Sequence, residues 1–121
     1  MPALPQRSKR NKYGAIKVEI DGTKYDSRKE ARRGEELKML ERAGVISDLR
    51  FQVRFTLQSS FTRDGKKILP IEYFADAVYV ENGITIVEDT KSIITQKKES
   101  YRLKKKLFLF KYPDLTFREN I

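Results

Sequence analysis

Two apolar runs joined by a turn dipeptide constrain the fold of this chain more than any other feature of its sequence. The runs cover residues 71–80 and 84–91 and consist largely of β-branched and aromatic residues. Asn82-Gly83, a strong signal for a two-residue hairpin turn, lies between them. The sequence therefore predicts an antiparallel β-hairpin within an apolar sheet.

The same hairpin carries two acidic residues and a lysine. Asp76 interrupts the first run, and the triplet Asp89-Thr90-Lys91 ends the second. Because strand side chains alternate between faces, Asp89 and Lys91 point the same way, and strand pairing can bring Asp76 beside them. Two carboxylates and an ammonium then meet at the edge of the sheet. A Mg²⁺-dependent phosphodiesterase needs such oxygen ligands for a hard cation, with a positive charge near the attacking water.

Asp76 also has a second explanation. A charged carboxylate among apolar residues such as Phe74, Ala75 and Val78 is costly unless it is paired or bound to a metal. A buried structural salt bridge, for example to an arginine of the adjacent strand, would satisfy it as well as a metal ion. The residue types around Asp76 leave both interpretations open.

The residue types that are missing exclude whole classes of chemistry. The chain has 121 residues and contains neither cysteine nor histidine. Disulfides, thiolate or histidine zinc sites and Ser-His-Asp catalysis are therefore excluded. A bound metal must be held by oxygen, which favours Mg²⁺ or Mn²⁺. No run approaches the roughly 18 to 20 apolar residues that span a bilayer, and no signal peptide is visible, so we expect a cytoplasmic protein without a membrane partner.

The charge balance favours a polyanionic partner and points to no small-molecule cofactor. A net charge of +9 and a pI near 9.8 make nucleic acid the leading candidate. The lysine-rich segment near the C-terminus could also be an ordinary solvated face. The residues expected to contact backbone phosphates are Arg7, Lys9, Arg10, Lys12, Lys97, Lys98, Arg102, Lys104 and Lys105.

The chain is expected to form one domain with a basic extension. Residues 1–13 are predicted to be a mobile basic arm, and residues 14–121 a single domain, since length and an apolar content of 39% suffice for one modest core. The domain begins with a predicted hairpin over residues 15–25. A helix follows, which starts at a capping box formed by Ser27 and Glu30 and ends at a glycine.

The remaining elements complete an αβββαβ order. Residues 48–58 are predicted to form a strand with one apolar face, made of Leu49, Phe51, Val53, Phe55 and Leu57. A second helix over residues 95–112 is predicted to bury Tyr101, Leu103, Leu107, Phe108 and Phe110. A short strand at residues 115–117 ends the domain. This order predicts an α/β (α+β) fold, in which two helices flank a central mixed sheet.

Two further acids have competing roles. Glu30 is the third helical residue of the capping box, a role that stabilises a helix by about 1 kcal/mol, but it could also be a third carboxylate of the metal site. Glu35 and Glu36, one turn onward, are alternatives for that third carboxylate. Strand alternation puts Glu88 on the face opposite Lys91, so we expect Glu88 to be solvent-facing or salt-bridged.

In the order of these residues the chain resembles the PD-(D/E)XK nuclease superfamily, and within it the phage endonuclease I-type Holliday junction resolvases. It also resembles a family of small phage proteins of uncharacterised function. The similarity covers about residues 24–120, and it implies a restriction-endonuclease-like core. The segments that carry it are Tyr25–Ala31, Ala75–Tyr79, Asn82–Ile84, Val87–Lys91 and Lys111–Leu115.

The resemblance implies a role for each site residue. Glu30, Asp76 and Asp89 would bind metal together with the Thr90 carbonyl oxygen, and Lys91 would position or activate the water. The chain departs from the family pattern at two positions. Alanine precedes Asp76 where the motif has proline, and Asp89 stands where glutamate is commoner.

These observations predict a divalent-metal-dependent DNA endonuclease. The resemblance implies a branched substrate such as a Holliday junction, and symmetric cutting of a junction implies a homodimer, with the N-terminal hairpin as a candidate dimer element. One alternative is a non-catalytic nucleic-acid-binding module that keeps the nuclease fold. A second alternative is a structural or interaction protein of a phage.

Overall fold

The computed structural model describes residues 17–120. The predicted basic arm over residues 1–13 lies outside the described residues, and so do its four predicted phosphate contacts, Arg7, Lys9, Arg10 and Lys12. Within residues 17–120, none of the helices combines the length and the apolar composition that a membrane-spanning segment requires.

Eight strands and three helices make up the described part of the chain. In chain order they are β1 (Val18–Ile20), β2 (Thr23–Tyr25), α1 (Arg28–Arg42), β3 (Ser47–Gln58), β4 (Phe61–Arg63), β5 (Lys66–Ile68), β6 (Ile71–Glu81), β7 (Ile84–Thr90), α2 (Ile93–Gln96), α3 (Glu99–Lys111) and β8 (Thr116–Asn120).

A four-stranded mixed sheet forms the centre of the fold, as predicted. Its order is β3-β6-β7-β8, in which β6 is antiparallel to both β3 and β7, and β8 is parallel to β7. The β6–β7 turn has positive φ at both Asn82 (53°) and Gly83 (77°), the geometry of a type I′ hairpin turn. Two separate two-stranded ribbons, β1–β2 and β4–β5, extend from this α+β core.

The two long helices cover opposite faces of the sheet. One cluster packs under α1 and consists of Leu37, Ile46, Ala77, Tyr79 and Ile86. The other packs under α3 and consists of Tyr73, Ala75, Val78, Val87, Tyr101 and Phe108. Consecutive residues of β6, Ala77 and Val78, belong to different clusters, as expected for side chains that alternate between the faces of a strand.

The alternation is interrupted in the middle of the sheet. Phe51 packs in the α1 cluster, whereas Val53, only two residues later, packs in the α3 cluster. Gln52 between them has a φ of 51°, which turns the strand over. The predicted single apolar face of this strand is therefore wrong. On β6, Ala75 and Ala77 change clusters in the same way around Asp76.

The predicted helix over residues 95–112 is two helices. The Ser92 side chain accepts a hydrogen bond from the Thr95 amide, so α2 starts earlier than predicted, and Lys98 has an extended backbone (ψ 135°) that starts α3 anew. All five residues of the predicted stripe lie within the uninterrupted α3, where side chains two residues apart point about 200° apart. Of the predicted stripe, Tyr101 and Phe108 are buried, but Leu103 and Phe110 are exposed. The prediction was wrong for those two residues.

Candidate active site

The β6–β7 hairpin brings Asp76 and Asp89 together. Pairing of the two strands reaches Ala77 opposite Glu88, so Asp76 and Asp89 lie one residue beyond the last pair. The Thr90 amide donates a hydrogen bond of 2.8 Å to Asp76 Oδ2. The Asp76 carboxylate therefore accepts a backbone N–H of β7, as a backbone carbonyl of a paired strand would, and this hydrogen bond holds it against the end of β7.

Lys91 lies between the two carboxylates. Its Nζ atom is 3.0 Å from Asp89 Oδ1 and 4.0 Å from Asp76 Oδ1. The predicted meeting of two carboxylates with an ammonium is confirmed, but it lies between the two inner strands of the sheet and not at its edge. Asp76 pairs with this lysine and not with an arginine of the adjacent strand, and Asp89 is completely buried.

The second oxygen of Asp89 is bound by an aromatic hydroxyl. The Tyr73 hydroxyl donates to Asp89 Oδ2 over 2.5 Å. Burial, followed by the charge of Asp89, raises the pKa of Tyr73, so this hydroxyl keeps its proton. Tyr101 also lies next to the site, with its ring centre 5.9 Å from Lys91 Nζ. Both tyrosines line one groove together with Lys91.

The two carboxylates repel each other in a poorly solvated position. Burial, and then the charges of Asp89 and Glu30, raise the pKa of Asp76 to about 8, while Lys91 and the Thr90 amide act in the opposite direction. For Lys91 itself, burial lowers the pKa, but the charges of Asp76 and Asp89 outweigh burial, so its pKa is raised. The ammonium is therefore kept, and additional positive charge would stabilise the site.

Glu30 supports the N-terminus of α1, where Ser27 is the N-cap, although its carboxylate accepts from the amide before the N-cap and not from the N-cap amide itself. Its amide donates to Ser27 Oγ over 3.1 Å, and its own Oε1 accepts a hydrogen bond of 3.3 Å from the Asp26 amide. The other oxygen, Oε2, accepts a hydrogen bond of 2.9 Å from Gln52 Nε2. Burial, followed by the charge of Asp26, raises the pKa of Glu30.

The donor set fits a hard cation only in part. Asp76 and Asp89 supply converging carboxylate oxygens, and their mutual repulsion is the kind that a divalent cation relieves. Among residues 17–120, however, no three acidic side chains are arranged so that they could hold a metal ion together. Glu30 turns its Oε2 to Gln52 instead. The roles of Glu30 and the Thr90 carbonyl as ligands stay predictions.

Glu88 belongs to a different network on the α1 face of the sheet. Its carboxylate accepts two hydrogen bonds from Arg33, of 2.6 and 3.0 Å, one of 2.5 Å from Tyr79 and one of 2.6 Å from Asn120. Burial raises the pKa of Glu88, but these donors outweigh it and hold the pKa below its usual value. Of the two predicted states, salt-bridged is correct and solvent-facing is wrong, because the side chain is buried.

The two alternative acids on α1 are engaged elsewhere. Glu35 accepts from the Tyr25 hydroxyl over 2.9 Å and pairs with Lys38 over 2.8 Å. Glu36 pairs with Arg33 over 2.5 Å. Neither acid contacts Asp76, Asp89 or Lys91 through any hydrogen bond or ion pair between described residues.

Four of the five described residues that are predicted to bind phosphate line two different surfaces. Lys98 and Lys104 line a groove of about 260 Å³ together with Lys91, next to the acids. Arg102 and Lys105 line a separate hollow of about 680 Å³. Lys105 is paired there with Glu119 over 2.9 Å. The fifth cation, Lys97, is exposed at the end of α2 and lines neither surface.

Three supporting residues were not identified from the sequence. Tyr73 was assigned only to an apolar run, Tyr101 only to a buried helix stripe, and Gln52 only to a polar strand face. Strand alternation places Tyr73 and Asp76, three residues apart, on opposite faces, so the spacing gave no signal for the contact of Tyr73 with Asp89. No pattern predicts the contact of Gln52 with Glu30, because it depends on the reversal of the strand at Gln52.

Comparison with known proteins identifies a family but no activity. The family model described as "Protein of unknown function (DUF1064)" matches residues 10–120. No curated protein and no solved structure gives a significant match. The matched region includes every strand and helix of the described fold, and with them Asp76, Asp89 and Lys91.

Proposed function

The chain belongs to the family described as "Protein of unknown function (DUF1064)", and on the chemistry of the Asp76, Asp89 and Lys91 cluster we propose that it is a divalent-metal-dependent DNA endonuclease. One observation carries this proposal: Lys91 Nζ lies 3.0 Å from Asp89 Oδ1 and 4.0 Å from Asp76 Oδ1, where the end of β7 meets the middle of β6. Two acids and a lysine in this relation supply ligands and positive charge for phosphodiester hydrolysis.

Asp76 and Asp89 would hold the cation, which is Mg²⁺ or Mn²⁺ because both donors are oxygens. When bound, such a cation polarises the scissile phosphate and lowers the pKa of a coordinated water. The Thr90 amide fixes the orientation of Asp76, and the Tyr73 hydroxyl fixes that of Asp89. Outer contacts of this kind keep ligands in one geometry and are important for metal affinity.

Lys91 acts as a fixed positive charge and not as a base. Because its pKa is raised, the ammonium stays protonated at neutral pH. It orients the attacking water and stabilises the negative charge that develops on the phosphate oxygens. Lys98 and Lys104, which line the same groove, extend this positive surface along the path of the backbone.

The nature of the substrate rests on the charge and on the family resemblance. A net charge of +9 favours a polyanion. The order of helix glutamate, strand aspartate and acid-x-Lys strand resembles the PD-(D/E)XK nucleases, which supports DNA as the substrate. Resemblance to junction resolvases supports branched DNA, and symmetric cutting of a junction requires two copies of the chain.

A second candidate function is a nucleic-acid-binding module without catalysis. One specific observation favours it: protein donors already satisfy the acids, with Lys91 and Tyr73 on Asp89 and the Thr90 amide on Asp76. In this case the acids are structural, and the protein needs no metal ion. The two candidates differ in their dependence on divalent cations.

The decisive experiment is cleavage of a labelled four-way junction beside its matched linear duplex, in Mg²⁺, Mn²⁺ and EDTA. Asp76→Asn and Lys91→Ala are assayed in parallel. Asp114→Asn and Lys24→Ala are matched controls, because they make the same changes at exposed positions outside the site. We expect metal-dependent cutting that the two site variants lose by about 10²-fold or more and the controls keep.

Each other result has a defined meaning. Equal cutting of junction and duplex would keep the nuclease and reject the preference for branched DNA. Binding without cutting in every metal would reject the nuclease and favour the non-catalytic module. Cutting that persists in EDTA would contradict the role of Asp76 and Asp89 as metal ligands.

A further inference from the structure

The β4–β5 ribbon extends from the sheet into solvent. It pairs Phe61 with Ile68, Thr62 with Lys67 and Arg63 with Lys66. Every residue from 58 to 70 is exposed. A two-stranded ribbon without a packed face is marginally stable by itself. Its tight turn, with positive φ at Asp64 (52°) and Gly65 (75°), favours the hairpin conformation. Burial of side chains does not stabilise the ribbon.

The charges of this ribbon oppose its own folding. Arg63 lies directly opposite Lys66, and like charges in this relation destabilise a hairpin. With Lys67 and the single acid Asp64, the eight residues 61–68 carry a net charge of +2, from three cations and one anion. No ion pair between described residues involves any of these three cations. A polyanionic partner would remove the repulsion.

We propose that the β4–β5 ribbon inserts into the major groove of duplex DNA. The major groove of B-form DNA is wide enough to admit a two-stranded β-ribbon, whereas the major groove of A-form RNA is too narrow for side chains to read. Arg63, Lys66 and Lys67 reach the phosphates and base edges from the tip of the ribbon. Phe61 and Ile68, which are exposed at its base, contact thymine methyl groups and sugars.

A second copy of this chain is a poorer occupant of the same surface. Phe61 and Ile68 form an exposed apolar pair, which by itself would suit a protein partner. Two copies of the ribbon, however, would bring two charges of +2 together, on chains that each carry +9. DNA satisfies both the charge and the shape of the ribbon, so the electrostatic argument decides between the two occupants.

The position of the ribbon is compatible with the candidate active site. Asp76 lies five residue steps along β6 from Ile71, at the root of the ribbon, which is about 17 Å along an extended strand. That distance is about half of one turn of B-DNA, which rises about 34 Å. The ribbon can thus hold the same duplex that presents a phosphate to the acids. The ribbon would bind DNA equally well if Asp76 and Asp89 had only a structural role.

The first test measures DNA affinity in EDTA as a function of salt, so that cleavage plays no part. The ribbon variant carries Arg63→Gln, Lys66→Gln and Lys67→Gln together. The control Lys24→Gln, Arg42→Gln and Arg50→Gln removes the same charge from exposed positions elsewhere. Each lost phosphate contact reduces the slope of log K for DNA binding against log salt concentration by about 0.9. We expect the slope of the ribbon variant to become shallower by up to about 2.7, and that of the control by less than about 0.9.

The second test identifies the groove by cross-linking. Because the chain contains no cysteine, Thr62→Cys introduces a single thiol on the ribbon and leaves its cations intact. Ser47→Cys is the control, exposed at the far end of β3, about 30 Å from Gln58, since the two residues pair with Val80 and Ile71 of β6. Each variant is exposed to duplexes that carry a disulfide tether either on a pyrimidine C5 atom in the major groove or on a guanine N2 atom in the minor groove.

The expected result is a major-groove cross-link with Thr62→Cys only, together with a reduced salt slope in the ribbon variant only. Cross-linking from the minor groove, no cross-link while the DNA stays bound, or equal slopes in both charge variants would overturn the proposal. Equal loss of affinity for an RNA duplex would overturn the choice of B-form DNA. If cleavage is absent but the ribbon cross-links, only the proposed nuclease activity fails.

Discussion

The Lys91 ammonium lies 3.0 Å from Asp89 Oδ1, inside a site where Asp89 is completely buried. This lysine supplies the charge that allows two neighbouring carboxylates to exist where the end of β7 meets the middle of β6. In a nuclease it would share that work with a metal ion. In a binding module it would do so alone.

The effect of Lys91→Met on the free energy of unfolding, with and without Mg²⁺, distinguishes a metal-binding nuclease from a binding module. The variant keeps the aliphatic side chain but leaves Asp89 without its charged partner, so in EDTA we expect the free energy of unfolding to fall by about 3–5 kcal/mol. Urea denaturation measures it, with Lys24→Met as an exposed control. If the acids bind metal, Mg²⁺ restores part of the loss, because it replaces the missing positive charge. Equal effects of Mg²⁺ on the variant and the control would contradict a metal site.

The raised pKa of Asp76 predicts how stability depends on pH. A carboxyl group whose folded pKa of about 8 exceeds its unfolded value of 3.8 binds more protons in the folded state between those values. Stability in EDTA should therefore fall as pH rises from about 4 to about 8. Asp76→Asn removes this titration, so it should flatten the curve and raise the melting temperature at about pH 8 relative to the natural protein. Thermal melts across this range, with Asp114→Asn as a control, measure the effect.

A steeper fall of stability with pH in Asp76→Asn than in the natural protein would contradict this assignment. The outcome also bears on function. If Asp76→Asn stabilises the metal-free fold, the carboxylate of Asp76 is not needed for folding, as expected of a residue with a chemical role.

The part of the site that could be predicted from the sequence is the part built by a local hairpin. The Asn82-Gly83 turn sets the register of β6 and β7, and that register brings Asp76 next to Asp89. Lys91 follows by strand alternation. These three positions depend only on contacts within one hairpin, so local rules were sufficient.

The parts that could not be predicted depend on distant contacts or on irregular backbone. Arg33 and Glu88 are 55 residues apart in the chain, and no local pattern pairs them. The positive φ of Gln52 reverses the faces of β3, and the extended backbone of Lys98 breaks the second helix. The reversal at Gln52 changes the direction of the side chains after it, so the periodicity that predicts one half of β3 fails in the other half, whereas the break at Lys98 moves the start of a helix.

Gly34 offers a test of packing between α1 and the β1–β2 ribbon. A Cβ atom at this position would lie 2.4 Å from Cε1 of the buried Tyr25 ring. Glycine to alanine in a helix normally stabilises by about 0.5–1 kcal/mol, but here we expect Gly34→Ala to destabilise by about 1–3 kcal/mol because of overpacking. Chemical denaturation measures the change. In a Tyr25→Leu background the same substitution should be less harmful. An equal cost in both backgrounds would show that the ring is not the obstacle.

Arg33 should be essential for stability although it does not belong to the Asp76, Asp89 and Lys91 cluster. It donates two hydrogen bonds to the buried Glu88, so Arg33→Ala leaves that carboxylate without its charged partner and should cost about 3–5 kcal/mol. The neighbouring Arg32→Ala is a matched control, since Arg32 is exposed, and it should change stability by less than about 0.5 kcal/mol.

The pH dependence of the Arg33 effect follows from the lowered pKa of Glu88. A carboxyl group with a depressed folded pKa stabilises the fold above its unfolded pKa of about 4.3 and loses that contribution as pH falls through the folded value. The difference between the natural protein and Arg33→Ala should therefore be largest near neutral pH and shrink in acid. Urea denaturation at several pH values measures it. A difference that does not vary with pH would mean that Arg33 stabilises the fold through packing and not through its charge.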